Sequence, residues 1–328
     1  MLSFLAGEDF LNKEWRHGEG RFWSILESMN LNELQIKYPW LRMNVKNSSD
    51  YLTPEYYNKI LKDYMFKSKN DTDIFRDYLK SEFGKSSLIK ALELGSGSGR
   101  GTDVFLKDVP SYVSLDLVDL SAKMVEYSRN KYSGQRDMSF FQSDSIDFFS
   151  KTEDTYDFVY SLWSLSHSIH QHIVDKTGEY EYVKNSIRNF IEKNIVPGGK
   201  MYLIHFDSLS EEQSIIYKQW SRDYSVAALT DRQSPSKLLL DEVFDECEKA
   251  GMGNSSISHL VGDPIRYDSV ENALEVFMNF HMHTYFNHSD IVEQVIEELT
   301  ESFRKYANKD GIFIRPGCFV YVFERSGK

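Results

Sequence analysis

The chain has 328 residues, of which 41% are hydrophobic, enough for a sizeable core in one large or two small domains. Its formal net charge of −12 disfavours a nucleic-acid partner, because phosphate backbones are bound by basic surfaces. Cys247 and Cys318 are too few for a disulfide framework, so a reducing, cytoplasmic location is expected. No segment resembles a signal peptide or reaches membrane-spanning length, so no membrane partner is expected.

Residues 1–85 show helical spacing of apolar side chains and no convincing alternating strand. Thr53 and Pro54 are typical of an N-cap and a first helical position. Helices are predicted around 22–29, over 54–64 and over 74–83, with a polar loop at 67–73. We therefore predict that residues 1–85 form a helical N-terminal extension that serves as a lid.

A buried strand at 88–94 runs into a turn that contains Gly95, Gly97 and Gly99, and a helix is predicted to follow. Glycines let the backbone turn tightly and let a ligand approach closer than any Cβ would permit. The dinucleotide fingerprint G-x-G-x-x-G fails from each of the three glycines, because none is followed by a third glycine or alanine at the required place. This counts against a NAD-type oxidoreductase.

Strands and helices then alternate along the chain, which indicates a parallel sheet covered on both faces. Further strands are predicted at 112–118, 138–142, 156–162, 200–206, 255–260 and 318–323, and helices at 122–131, 182–194, 237–250, 270–285 and 291–306. Asp119 ends the second strand, about 20 residues beyond Gly99, where a carboxylate can bind the ribose hydroxyls of an adenosine.

Three motifs between residues 88 and 210 together resemble those of class I S-adenosylmethionine (SAM) dependent methyltransferases. They are E-x-G-x-G-x-G from Glu93, Asp119-Leu120-Ser121 followed by Met124-Val125, and Pro197-Gly198-Gly199 before a strand. The resemblance implies an α/β fold with a Rossmann-like seven-stranded methyltransferase sheet, mostly parallel with an antiparallel last strand. It implies a SAM-binding domain at 86–260 and 316–328, and a helical substrate-cap insertion at 261–315, before the last strand.

The resemblance also implies which residues bind the cofactor, SAM. They are Glu93, Gly95, Gly97, Gly99, Asp119, Leu120, Asp144, Ser145, Ser161 and Leu162. The glycines would pass under the amino-acid end of SAM, Glu93 would receive its ammonium group, and Asp119 would bind its ribose. Asp144 and Ser145 would lie beside the adenine, although Asp144 is also suited to cap a short helix.

The resemblance directs Trp163, Ser166 and His167 towards the substrate, since they follow the fourth strand at the carboxyl edge of the sheet. A neutral imidazole at His167 could accept a proton from the nucleophile, which makes it the predicted catalytic residue. Tyr57 is placed at the substrate by a looser resemblance to histamine N-methyltransferase. His205 is a further substrate-binding candidate, with an interior hydrogen-bonded role as the alternative.

The function predicted is methyl transfer from SAM to a small molecule. N-methylation of an amine is favoured, because the aromatic content of 14% and the negative charge both favour cations. O-methylation of a small carboxylate or hydroxyl compound is the alternative, and a SAM-binding protein without catalysis is a reading of a different class. The C-terminal residues 310–325 resemble trans-aconitate and histamine N-methyltransferases. The histidine clusters lack zinc-site spacing, so no metal is expected; they are His167, His170 and His172, and His281, His283 and His288.

Overall fold

The computed structural model describes residues 33–42, 53–83, 89–109, 112–135, 137–175, 179–222, 233–282, 286–287 and 291–327. The helix predicted around 22–29, together with His283 and His288, lies outside the described residues. Among the described residues, no helix is long and apolar enough to cross a membrane.

Between residues 53 and 83 the N-terminal region contains two helices joined by a small hairpin, and a short helical turn precedes them at 33–37. Its elements are α1 (Pro54–Leu61), β1 (Met65–Phe66), β2 (Lys69–Asn70) and α2 (Asp71–Glu82). The Thr53 hydroxyl accepts a hydrogen bond from the Tyr56 N–H, as an N-cap does. The polar stretch predicted as a loop at 67–73 instead forms the hairpin turn and the start of α2. Asn70 is the residue that starts α2, because its side chain and that of Asp73 form a capping box.

Strands and helices alternate from residue 89 onwards, as predicted. They are β3 (Ile89–Leu94), α3 (Arg100–Asp108), β4 (Tyr112–Asp119), α4 (Ala122–Lys131), β5 (Met138–Gln142), α5 (Ser145–Lys151), β6 (Tyr156–Leu162), α6 (Ser164–Asp175), α7 (Tyr180–Asn194), β7 (Ile195–Phe206), α8 (Glu211–Trp220), α9 (Pro235–Lys249) and β8 (Gly253–Val261). Helices α6 and α8 were not predicted from the sequence.

The central sheet has seven strands in the order β5-β4-β3-β6-β7, then the last strand, β12 (Gly317–Arg325), and finally β8. The strands from β5 to β7 run parallel, and β12 runs antiparallel to both of its neighbours. The predicted α/β fold with an antiparallel last strand is therefore confirmed. The order reverses between β3 and β6, and ligands of open α/β sheets bind at the carboxyl ends of strands beside such a reversal.

The insertion at 261–315 is not purely helical. It contains β9 (Ile265–Tyr267), α10 (Val270–Val276), a π-helix (Phe277–His281), α11 (Val292–Arg304), β10 (Ala307–Asn308) and β11 (Gly311–Ile314). The three strands form a small antiparallel sheet in the order β10-β11-β9. They have two to four residues each, too few for an alternating pattern to show in the sequence.

Two hydrophobic cores cover the faces of the central sheet. One contains Phe75 of α2, Phe105 of α3 and Phe277 of the insertion, so the N-terminal region and the insertion share one core with the sheet. The other contains Ile169 of α6 and Phe244 of α9. The N-terminal region and the insertion thus lie together on one side of the molecule.

Candidate active site

The glycine-rich turn after β3 has a backbone that side chains would strain. Gly95, Gly97 and Gly99 all have positive φ, of 72°, 50° and 82°. A Cβ at Gly95 would lie 1.9 Å from the Ser164 hydroxyl oxygen, so the first turn of α6 requires glycine there. A Cβ at Gly97 would meet nothing nearer than the Gly95 carbonyl oxygen at 4.0 Å. The backbone of Gly97 therefore faces open space, as a ligand cradle does.

Asp119 at the end of β4 fixes this turn from the side. Its Oδ2 accepts a hydrogen bond from the Gly97 N–H at 2.7 Å, and its Oδ1 accepts one from the Ser121 N–H at 2.8 Å. Burial raises the pKa of this carboxyl, although both backbone hydrogen bonds favour the charged form. Each carboxylate oxygen has further lone pairs, so Asp119 can accept two more hydrogen bonds. Leu120 beside it is 45% exposed.

Glu93 lies beneath the turn rather than on its open side. Its carboxylate is buried and accepts hydrogen bonds from the hydroxyls of Thr102 and Tyr160, the latter at 3.0 Å. Burial raises the pKa of Glu93 to about 8. A Cβ at Gly101 would lie 2.5 Å from Glu93 Oε1, so the carboxylate packs directly against the start of α3. Its contact with an ammonium group stays a prediction.

Asp144 is the N-cap of α5, as its alternative interpretation allowed. Its Oδ1 accepts a hydrogen bond from the Ile146 N–H at 2.8 Å, and its Oδ2 accepts one from the Ser168 hydroxyl at 2.7 Å. His172 Nε2 lies 3.0 Å from Asp144 Oδ1, and its Nδ1 lies 2.7 Å from Glu179 Oε2. Burial alone would raise the pKa of Asp144, but hydrogen bonds from His172 and Ser168 lower it.

The side chains of Asp144, Asp147 and His172 could also hold a metal ion, since one ligand atom of each lies within 4.8 Å of the others. Asp144 and His172 already contact each other, so their placement side by side does not require a metal ion. Ser145, the predicted neighbour of the adenine, is buried at the first position of α5.

The end of β6 turns sharply at Trp163. Ser161 donates a hydrogen bond from its hydroxyl to the Leu94 carbonyl at 3.0 Å, which ties the end of β6 to the end of β3. Leu162 is the last residue of β6. Trp163 has a φ of 75°, a rare conformation for a bulky residue. Strained residues of this kind cluster at ligand sites and persist only where the surroundings hold them.

Asp71 provides that support, and the sequence reasoning missed it. The Trp163 indole N–H donates a hydrogen bond to Asp71 Oδ2 at 2.9 Å. The same buried carboxylate forms an ion pair with Arg100, the first residue of α3. Arg100 directly follows Gly99, so this ion pair lies next to the glycine-rich turn. In the sequence, Asp71 is only an acid in the first turn of a helix, and such an acid indicates a favourable helix start and no functional role.

An aromatic wall surrounds Trp163 at the carboxyl edge of the sheet. Its ring centroid is 4.7 Å from that of Phe206, 6.0 Å from that of Tyr64 and 6.3 Å from that of Phe66. His167 is exposed on the next turn of α6, 5.1 Å from the Phe206 ring. Ser166 is buried and donates its hydroxyl hydrogen bond to the Trp163 carbonyl at 2.6 Å.

Helix α1 reaches the glycine-rich turn. The Ser98 hydroxyl donates a hydrogen bond to the Asn58 side chain at 2.8 Å. Burial raises the pKa of Tyr57 to about 12; Arg100 opposes this shift, and the charges of Asp71 and Asp119 add to it. Tyr57 therefore lies close to the groups that surround the turn. The sequence-predicted Tyr57, Trp163, Asp119 and the glycines are brought together in the structure.

His205 is not brought to this place. Alternation along β7 puts Ile204 in the core that contains Trp163, and His205 on the other face. There its Nε2 lies 3.1 Å from the Ser236 hydroxyl oxygen of α9, and its Nδ1 lies 2.7 Å from the Phe206 carbonyl oxygen. Burial lowers the pKa of His205 to about 4, so its ring is neutral at neutral pH. These contacts favour the interior alternative for His205, and its binding of substrate stays an untested prediction.

Residues 91–179 match the family model of a methyltransferase domain. The matched residues include the glycine-rich turn, Asp119 and the end of β6. This stretch of the chain is thus similar to a methyltransferase domain. A search of curated proteins finds no match.

Solved structures with a similar fold include several of low sequence identity. The YcgJ protein from Bacillus subtilis is 15% identical with a TM-score of 0.49, covering 78% of this chain and 99% of that one. The cyclopropane synthase MmaA2 from Mycobacterium tuberculosis is 12% identical with a TM-score of 0.48, covering 84% and 96%. A phosphoethanolamine N-methyltransferase from Haemonchus contortus is 14% identical with a TM-score of 0.44, covering 87% and 61%. At such values these likenesses carry no argument about the substrate of this protein.

Proposed function

We propose that this methyltransferase transfers a methyl group from SAM to the nitrogen of a small amine. The observation that carries the cofactor assignment is the open backbone at Gly97, which Asp119 holds at 2.7 Å beside the point where the strand order reverses. Bound SAM would supply a methyl group activated by its sulfonium centre. The protein would then have to orient the acceptor and exclude water, which can supply most of the rate.

Each end of SAM has matching groups on the chain. Gly95, Gly97 and Gly99 would pass under its amino-acid end, with Glu93 below them, and Asp119 would accept hydrogen bonds from its ribose hydroxyls. The remaining contacts proposed on the resemblance are those of Leu120, Asp144 and Ser145 with the adenosine, and of the Ser161 and Leu162 backbone with the methionine part.

The surroundings of Trp163 support a cationic acceptor. Phe66 stacks against Trp163 and Tyr64 meets it edge-on, and aromatic rings attract ammonium groups. The overall charge of −12 also attracts cations. We infer that Trp163, Ser166 and Tyr57 form part of the substrate pocket, with the acceptor nitrogen held near Trp163.

His167 is proposed to accept the proton of the nucleophile. It is exposed on α6, one turn from Trp163, so it is reachable from solvent and from the rim of the aromatic wall. Removing a general base typically costs about 100- to 10,000-fold in rate. His167→Asn should therefore lower kcat strongly at neutral pH, and added imidazole should restore part of it. Unchanged turnover would show that His167 has no such role.

We also propose that residues 1–85 and 261–315 together form a lid over a SAM-binding domain at 86–260 and 316–328. Contacts between the two segments support this: the Asn279 side chain accepts a hydrogen bond from the Arg42 N–H and donates one to the Trp40 carbonyl, both at 2.9 Å. Tyr57 and Phe280 have ring centroids 5.6 Å apart. A closed lid would exclude water from the reacting groups.

A reducing compartment is part of the proposal, because Cys247 and Cys318 are both free and buried.

The acceptor class is tested by incubating the protein with methyl-labelled SAM and matched panels of small amines, hydroxyl compounds and carboxylates. Label should appear on amines. Transfer to hydroxyl or carboxylate compounds alone would refute N-methylation, and failure to bind SAM would refute the cofactor assignment.

A further inference from the structure

Glu212, in the first turn of α8, is a buried acid next to the aromatic wall. Its exposed fraction is 1%. Its Oε1 accepts a hydrogen bond from the Tyr64 hydroxyl and lies 3.5 Å from His281 Nε2, and its Oε2 accepts one from the Gln213 amide at 3.2 Å. In the part of the chain that the structure describes, no lysine or arginine forms an ion pair with Glu212. Burying an acid without such a partner is costly, so its presence calls for a reason.

Four separate segments contribute to this cluster. Tyr64 follows α1, Glu212 is the second residue of α8, Tyr267 belongs to β9, and His281 ends the π-helix. The charge of Glu212 raises the pKa of Tyr267 in addition to the effect of burial, which places the two groups close together. π-Helical turns are rare and occur frequently at functional sites. The cluster therefore joins the proposed lid to the edge of the sheet at one point.

The cluster is connected by ring contacts to the residues that surround the proposed acceptor. The Tyr64 ring centroid is 6.0 Å from that of Trp163. The His281 ring is 5.0 Å from that of Phe280, which in turn is 5.6 Å from that of Tyr57. Tyr64 and His281 therefore connect Glu212 to Trp163 on one side and, through Phe280, to Tyr57 on the other.

We propose that Glu212, with Tyr64 and His281, forms the subsite that receives the ammonium group of the acceptor and takes up its proton. The inference rests on the proposed N-methylation. The Tyr64 hydroxyl and the His281 ring contact Glu212 Oε1, and an ammonium ion that displaced one of them would donate an N–H group to the same oxygen. In the proton transfer the N–H bond breaks, its electron pair stays on nitrogen as the nucleophile, and an O–H bond forms on Glu212. Glu212 takes this first proton before the methyl transfer, and His167 at the rim takes the second proton, which the methylated nitrogen loses afterwards.

The acid–base properties of the cluster suit this role. Burial raises the pKa of Glu212 to about 7, while the hydrogen bonds from Tyr64 and Gln213 lower it. A proton acceptor works best when its pKa lies near the working pH. The titratable groups that face it are Tyr64, Tyr267 and His281, and Asp63 acts on Tyr267.

The test compares Glu212→Gln with Glu297→Gln, a matched change at an exposed position on α11. The probe is the best amine found with methyl-labelled SAM. We expect kcat/KM for that amine to fall about 100-fold in Glu212→Gln only, with SAM affinity by calorimetry within twofold of the wild type. In the wild type, kcat/KM should rise with pH through about 7, and this rise should be absent in Glu212→Gln.

Tyr64→Phe keeps the test decisive if Glu212→Gln does not fold. The change removes a hydrogen bond that lowers the pKa of Glu212, so the rise of kcat/KM should move to higher pH. The subsite would be overturned if Glu212→Gln methylated the amine at a rate within threefold of that of Glu297→Gln. It would also be overturned if the pH at which kcat/KM rises were the same in Tyr64→Phe as in the wild type. Either result would leave N-methylation in place. A wild type that binds SAM and methylates no amine would overturn both proposals.

Discussion

Replacement of Asp119 by asparagine tests the most defined contact of the cofactor site. The carboxylate already accepts one backbone hydrogen bond on each oxygen, at 2.7 and 2.8 Å, so ribose hydroxyls would use its remaining lone pairs. Hydrogen bonds to a charged acceptor contribute about 1.5 to 3 kcal/mol. Their loss corresponds to a SAM dissociation constant raised by about 10- to 150-fold.

Calorimetric titration with SAM measures this change directly. Asparagine retains one carbonyl oxygen for the turn, and thermal unfolding of the ligand-free protein shows separately whether the turn is disturbed. Asp268→Asn is the matched control, since Asp268 is highly exposed in the insertion. A dissociation constant for Asp119→Asn within twofold of that control would refute a role for Asp119 in binding the ribose.

Three further predictions concern the glycine-rich turn and the lid. Glu93 has a pKa of about 8 in the folded protein against an ordinary 4.5, so its protonation stabilises the fold below pH 4.5 and that contribution is lost as pH rises towards 8. Chemical denaturation at several pH values should show that the free energy of unfolding falls less with rising pH in Glu93→Gln than in the wild type. The same dependence on pH in both proteins would contradict this. Gly95→Ala should lower the free energy of unfolding by about 1 to 3 kcal/mol, because its Cβ would overlap Ser164 at a φ of 72°, whereas Gly134→Ala, with open space around it, should not. Hydrogen exchange with SAM and an amine bound should show added protection in 54–64 and 270–281, and protection confined to the sheet loops would mean that neither segment is a lid.

The local features of the site could be predicted from the sequence because each depends on neighbours along the chain. A continuous apolar run gives β3, and three glycines with positive φ give the turn that follows. Asp119 ends a strand that the pattern defines clearly, so its meeting with Gly97 follows from parallel strands ending at one edge. The position of Trp163 after β6 follows in the same way.

Features that depend on tertiary contacts could not be predicted. His205 was assigned to the substrate because it lies near the end of a strand, but the alternation of faces along β7 turns it towards α9. Asp144 was assigned to the adenine, yet Ser168 and His172 from α6 also contact it. Tyr64 and Glu212 are 148 positions apart in the sequence, and no periodicity relates them.

The central claim, that the open backbone after β3 receives SAM, is tested most directly by calorimetry on Gly97→Val. A Cβ at this position would meet only the Gly95 carbonyl oxygen, at 4.0 Å, so a side chain there would occupy the place of the ligand, with some backbone strain from the φ of 50°. Gly251→Val is the matched control, since Gly251 also has a positive φ, of 70°, and nothing lies within 4 Å of a Cβ there. The account predicts that Gly97→Val loses SAM binding while its thermal unfolding remains cooperative and the control binds normally. SAM affinity equal to that of the control would contradict it.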